Sequence, residues 1–158
     1  MRRWSLRTAD TQLALRAALA AGLAVVMAKL LALPFPIYAM ISAVIVTDLA
    51  PALTRKLAVP RIGATVLGTV LGATIITVLS ASLWWVVPGI MAAMLLSNLL
   101  GLRQAAKVAG YICGVVLLDF SDQPWPYALA RMVETVVGIG AALLVSFVPK
   151  LFRTDRAP

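Results

Sequence analysis

The sequence predicts an all-α membrane protein with six transmembrane helices arranged as an inverted three-plus-three repeat. Of its 158 residues, 62% are hydrophobic and only 13% are charged, and the mean hydropathy is +0.98. Globular proteins contain roughly 45–50% apolar residues, so this chain has too few polar residues to cover a surface in water. The pattern RxxxTxxG occurs twice, at 61–68 and 131–138, and predicts a duplicated module.

The two copies of this pattern begin 70 residues apart, and each opens what we expect to be the third helix of its half. Their members are Arg61, Thr65 and Gly68 in the first copy, and Arg131, Thr135 and Gly138 in the second. The four-residue step places each threonine on the same helix face as its arginine. The repeat halves are therefore predicted at about 13–80 and 83–148.

The composition also excludes several functions. The chain has no histidine and one cysteine, Cys113, which argues against an intrachain disulfide, a metal site and histidine-based catalysis. No nucleophile and base occur together, so we expect no enzyme activity, no cofactor and no metal. Fourteen Lys and Arg residues against six Asp and Glu could indicate nucleic-acid binding. They lie mostly between apolar runs without interleaved aromatics, which favours the lipid bilayer and not nucleic acid as the partner.

The first half begins with a basic leader at 1–12, followed by an apolar stretch from Leu13 to Leu33. Arg16 lies about one turn inside this stretch, where it can snorkel to the interface. Prolines at 34 and 36 end the first helix, because proline lacks an amide donor. The second apolar run, Ile37–Leu49, is short for a bilayer that needs roughly 20 helical residues.

A basic loop is predicted next, ending at Arg61, and a third span at about Ile62–Leu79. The fourth span starts at Trp84 and ends at Gly101, and the fifth, Val108–Leu118, is again short. The sixth is predicted at Tyr127–Val148, and a basic tail occupies 149–158. The membrane module therefore covers 13–148.

The loops alternate in charge. The amino terminus, the 48–61 and 103–107 loops and the carboxyl terminus hold nearly all the Lys and Arg residues. By the positive-inside rule both termini are cytoplasmic. Because each half has an odd number of spans, the second half enters the membrane inverted.

Three segments in order resemble a known family. They are RAALAAGLA at Arg16–Ala24, LPFPIYAMISAVIVTDLAP at Leu33–Pro51 and RIGATVLGTVLG at Arg61–Gly72. This order resembles the aromatic acid exporter superfamily, which includes fusaric acid resistance (FUSC-type) proteins and, more distantly, plant aluminium-activated malate channels. The resemblance covers essentially the whole chain and includes LGLRQAAKVAG in the second half.

The resemblance implies a single six-helix membrane module that moves organic anions, aromatic or other carboxylates, in the efflux direction. It also implies a place in a bacterial inner membrane. The larger relatives carry two modules in one chain, so we expect a homo-oligomer, with a dimer favoured. The alternative is an accessory or structural membrane subunit of a larger complex with no transport activity.

Six residues are candidates for the substrate path: Arg61, Thr65, Arg131, Thr135, Glu134 and Lys29. Arg61 is either a cytoplasmic anchor or an anion-attracting residue at a pore mouth. Arg131 lies on the side that the charge rule leaves uncharged, which favours function or a specific pair. Glu134, three residues later, and Lys29 are possible partners, either in a self-neutralising cluster or at a gate where a carboxylate ligand competes with Glu134.

Glycines with four-residue spacing predict close helix packing. These residues are Gly68, Gly72, Gly110, Gly114 and Gly138. We interpret them as packing residues, and their number as favouring contacts between subunits.

Overall fold

A computed structural model of the protein describes residues 8–80, 82–119 and 122–148. Within these ranges it contains six α-helices, namely α1 (Thr8–Leu30), α2 (Pro36–Val46), α3 (Pro51–Leu79), α4 (Val86–Leu99), α5 (Ala106–Asp119) and α6 (Pro124–Ser146). Short 3₁₀ turns precede α4 and α5. The all-α prediction is confirmed, whereas most of the predicted leader and the whole tail at 149–158 lie outside the described residues.

Prolines start three of these helices. Pro36, Pro51 and Pro124 each occupy one of the first two helical positions of α2, α3 and α6. The first turn of a helix leaves its amides unbonded in any case, so a residue without an amide donor fits there.

The turns after α1 and α4 have the same geometry. Ala32 and Gly101 both adopt positive φ angles, 50° and 78°. The next residue then bonds back across the turn, with the Leu33 amide donating to Ala28 O at 2.9 Å and the Leu102 amide to Ser97 O at 2.8 Å. Such six-to-one bonds are the usual helix-ending arrangement.

The predicted boundary of the third span is wrong. Helix α3 starts at Pro51 and continues through Pro60, so Arg61 lies ten residues inside the helix and not at its mouth. Arg55 and Lys56, expected in a loop, are exposed residues on the same helix. A proline after a charged pair is typical of a loop, but α3 is long enough to tolerate the hydrogen bond that Pro60 cannot make.

Arg16 also differs from the expectation that it snorkels to an interface. It is only 3% exposed. Its guanidinium donates to the backbone oxygens of Leu49 and Val148, both at 2.9 Å. It therefore ties α1 to the chain segments that follow α2 and α6.

Three helices are long and apolar enough to cross a membrane: α1 from Asp10, α3 and α6. Helices α2, α4 and α5 have 11, 14 and 14 residues. At about 1.5 Å per residue these are roughly 16–21 Å long, against a hydrocarbon core of about 30 Å. Six membrane crossings therefore remain a prediction.

The distribution of side chains is that of a membrane protein. Large apolar residues face outward, including Leu30, Trp84 and Leu99, each more than 80% exposed. Alanines dominate the interior of both core clusters. Small residues inside let helices approach closely, and large apolar residues outside suit contact with lipid.

The two halves of the sequence exchange their third helices. Helix α6 packs against α1 and α2, whereas α3 packs against α5 and, less extensively, α4. One core cluster accordingly combines α1, α2 and α6, and the other centres on α3, α4 and α5. Helices α3 and α6 also contact each other, which joins the two clusters.

Candidate functional site

The two motif helices, α3 and α6, cross in antiparallel directions. Near the middle of the crossing, the hydroxyl oxygens of Thr65 and Thr135 lie 3.4 Å apart. The Trp125 indole, near the start of α6, donates to Thr77 Oγ1 near the end of α3 at 3.1 Å. At the other end, the Arg55 guanidinium lies 5.6 Å from the ring centroid of Phe147.

This crossing places the two motif arginines on either side of the threonine contact. Arg61 and Arg131 are 2% and 1% exposed. Both donate from Nη2 to the hydroxyl oxygen of one tyrosine on α5, Tyr111, at 2.9 and 3.0 Å. The structure thus brings together two candidates that the sequence could only place 70 residues apart.

Tyr111 was missed by the sequence analysis. It is a polar aromatic residue in a largely aliphatic helix, but its counterpart 70 residues earlier is Ile41. A search for repeated residues therefore could not detect it. An unusual polar group in an apolar span was the one available signal.

Both arginines keep unsatisfied donors. Arg61 also donates to Ser42 Oγ at 3.3 Å, and the Arg131 guanidinium lies 3.5 Å from the ring centroid of Tyr38. Nevertheless Nε and Nη1 of each arginine are buried without a hydrogen-bond partner. A cation on an aromatic face gains about 2 kcal/mol when desolvated, which offsets only part of the cost of burial.

The predicted trio of Arg131, Glu134 and Lys29 does not form through hydrogen bonds. Glu134 Oε1 accepts the backbone amide of Phe35 at 2.7 Å, and Oε2 has no hydrogen-bond partner. Glu134 is fully buried, whereas Lys29 is exposed. The carboxylate turns to the amino-terminal end of α2 because that end has an unbonded amide to offer.

The candidate threonines bond mainly within their own surroundings. Thr65 Oγ1 donates to Arg61 O at 2.9 Å, in addition to its contact with Thr135. Each hydroxyl therefore lies one helical turn from its arginine. Together they mark the centre of the α3–α6 contact.

The candidate glycines lie at close contacts inside the subunit. A Cβ at Gly68 would meet Ala109 O and Ile112, and one at Gly138 would meet Ala39 O and Ser42. Gly72, Gly110 and Gly114 lie against Val116, Met94 and Ile90, respectively. The reasoning that these glycines serve contacts between subunits is therefore wrong, because the neighbouring helices of the same chain already fill those surfaces.

The contacts at Gly68 and Gly138 repeat with the same spacing as the motif. Ala39 and Ala109 are 70 residues apart, and so are position 42 and position 112. Each motif glycine thus lets α3 or α6 approach the carbonyl of an equivalent residue on α5 or α2.

Cavities lie at the two ends of the α3–α6 crossing. One of about 240 Å³ is lined by Pro34, Phe35, Gln123, Pro126, Tyr127 and Ala130. One of about 370 Å³ at the other end is lined by Lys56, Pro60, Gly101, Leu102, Arg103 and Gln104. Pro60 and Gln104 also line a smaller cavity, of about 60 Å³, that reaches Arg61.

These end cavities are related by the same 70-residue spacing, but they differ in chemistry. Pro34 corresponds to Gln104, Pro126 to Lys56 and Ala130 to Pro60. The first cavity has aromatic walls without a charged residue in its lining, whereas the second is basic.

A groove lies on the α3–α6 surface itself. It has a volume of about 130 Å³ and is lined by Ile62, Thr65, Val66, Met132, Thr135 and Val136. The lining consists of three pairs of positions 70 residues apart. The groove therefore lies where the two motif helices contribute equally.

These features define an all-helical membrane protein with a buried cationic centre whose charges lack acidic hydrogen-bond partners among the described residues. The chain belongs to the fusaric acid resistance protein-like family, whose model matches residues 23–145. Membership indicates a role in membrane transport or resistance and not in enzyme catalysis. Comparisons with curated proteins and with solved structures found no match in either set.

Proposed function

We propose that this protein is a membrane transporter or channel for organic anions, and that a carboxylate binds between Arg61 and Arg131. The observation that carries this proposal is the pair of buried guanidinium groups that share one neutral oxygen. Neither arginine is hydrogen-bonded to an acidic side chain in the described part of the chain. An anion is the partner that such a pair lacks.

The energetics favour an anionic ligand. An arginine at the centre of a membrane helix costs about 2.5–3.5 kcal/mol on insertion scales. Four buried N–H donor atoms of Arg61 and Arg131 are also unbonded. A carboxylate oxygen forms charge-assisted hydrogen bonds that are roughly twice as strong as neutral ones, and the planar guanidinium matches its geometry.

The cavities support a route through the subunit. The basic cavity lined by Lys56 and Arg103 leads by way of Pro60 and Gln104 to the small cavity at Arg61. Beyond the arginine pair, Tyr127 belongs to the aromatic cavity at the other end. In this proposal an anion passes from the basic cavity to the aromatic one, with the arginine pair between them.

We also propose that the two halves form an inverted repeat in a bacterial inner membrane, with both termini cytoplasmic and with efflux as the direction. The antiparallel crossing of α3 and α6 and the equivalent cavities support the inversion. Exposed cations support the orientation, because Lys56 and Arg103 gather at one end.

Flux measurements in liposomes with a panel of carboxylates test this function. Arg131→Gln and Arg61→Gln should each lower the carboxylate flux at least tenfold while leaving the amount of folded protein near wild type, since glutamine keeps polar reach but removes the charge. The earlier expectation of a smaller effect at Arg61 assumed an anchor at the helix mouth, whereas Arg61 is buried as deeply as Arg131.

Lys107→Gln is the matched control, because Lys107 is an exposed cation on α5. Its flux should stay within twofold of wild type. Unchanged flux in both arginine variants would refute the anion-binding role. Absence of flux in the wild-type protein, with every carboxylate, would favour the accessory-subunit alternative.

A further inference from the structure

The Tyr111 hydroxyl lies at the point that both motif arginines reach. Its oxygen accepts from Arg61 at 2.9 Å and from Arg131 at 3.0 Å. A phenol oxygen has two acceptor lone pairs, so these two bonds use its whole acceptor capacity. One neutral atom therefore serves two cations.

This position is special because of the repeat. Arg61 and Arg131 are equivalent members of the two motif copies and approach from opposite sides of the Thr65–Thr135 contact. Tyr111 has no hydroxyl-bearing equivalent, since Ile41 occupies the corresponding place on α2. A single hydroxyl thus fills the place between two equivalent arginines.

Tyr111 is also the member of this group that has room to move. Its side chain is 37% exposed, whereas the two arginines are 2% and 1% exposed. A rotation of Tyr111 away from the arginines would carry it towards its exposed side and not into the alanine-rich core.

We propose that the Tyr111 hydroxyl occupies, in the empty protein, the position of an anion oxygen, and that a carboxylate binds by displacing it. This inference rests on the proposed function. The phenol keeps one donor of each arginine satisfied while the site is empty. An incoming carboxylate exchanges these two neutral hydrogen bonds for stronger charge-assisted ones.

Displacement makes Tyr111 a specificity-determining residue. An anion binds only when its contacts with both guanidinium groups exceed those that the phenol gives up. Carboxylates, with two oxygens in one plane, meet this condition better than a single-atom anion such as chloride. Removing the hydroxyl should therefore strengthen anion binding and weaken discrimination against chloride.

The test is Tyr111→Phe, assayed by benzoate flux in liposomes. We expect the apparent KM for benzoate to fall about tenfold, which corresponds to about 1.4 kcal/mol. Inhibition of benzoate flux by chloride should increase by a similar factor. A purely structural tyrosine, or one that stays as a ligand donor, would instead leave KM unchanged or raise it.

Thr74→Val is the control for loss of a hydroxyl. Thr74 is exposed on α3, and its hydroxyl bonds only to Val70 O in the same helix, at 2.7 Å. Its KM for benzoate should remain within twofold of wild type. A fall in KM in this variant similar to that in Tyr111→Phe would overturn the inference.

A second measurement avoids any change at Tyr111. The chain has three tyrosines, so protein labelled with 3-fluorotyrosine gives three fluorine signals, assigned by Tyr38→Phe and Tyr127→Phe. In a detergent without charged groups, benzoate should shift the Tyr111 signal most. A Tyr111 signal that stays in place while benzoate binds would refute the displacement. Absence of both flux and binding in the wild-type protein would reject the proposed function instead.

Discussion

The motif glycine of α6 is predicted to be intolerant of even one methyl group. A Cβ at Gly138 would lie against the carbonyl oxygen of Ala39 in a severe clash and 2.9 Å from Ser42 Cβ. Ordinary contacts between such atoms are about 3.5–4 Å, so α2 would have to move away. Overpacking of this kind typically costs about 1–3 kcal/mol.

Gly140→Ala is the matched control, two residues further along the same helix. A Cβ there meets no atom within 4 Å. Both substitutions replace glycine by a better helix former, a gain of about 0.8–1 kcal/mol in water, so this contribution cancels when the two variants are compared. The difference that remains isolates the clash with α2.

Thermal unfolding in detergent measures this difference. We expect Gly138→Ala to be less stable than Gly140→Ala by about 1–3 kcal/mol, which is about 2–12 °C in Tm for a chain of this size. Anion flux should fall as well, because α2 carries Ser42 and Tyr38, which touch the two arginines. Equal Tm values for the two alanine variants would show that α2 and α6 do not pack at Gly138 as described.

Two further predictions concern topology and assembly. Cysteines introduced at Ser80 or Asp122 should react with an impermeant thiol reagent from outside the cell, whereas those at Lys56 or Arg103 should not, and external labelling at Lys56 would overturn the proposed orientation. Native mass spectrometry in mild detergent should detect a homodimer, because closed two-copy symmetry is the commonest arrangement of homo-oligomers; a monomer that retains flux would place the whole path within one subunit.

The candidate site was only partly predictable. Arg61 and Arg131 stood out because an arginine in an apolar helix needs a reason and because the pattern around it repeats. Their common partner, Tyr111, lies outside that pattern. The partner of Glu134 could not be inferred either, since the Phe35 amide is a backbone group and has no signature in the sequence.

By itself the sequence determined the helical class, the membrane character and the two equivalent motif helices, because composition and spacing encode which faces are apolar and where prolines start or end a helix. Only the tertiary structure decided that the halves exchange α3 and α6, that five glycines are used within the subunit and that one phenol joins two arginines. Periodicity specifies which residues of a helix are buried but not which helix covers them. That choice depends on contacts between positions such as Gly138 and Ala39, which lie far apart along the chain.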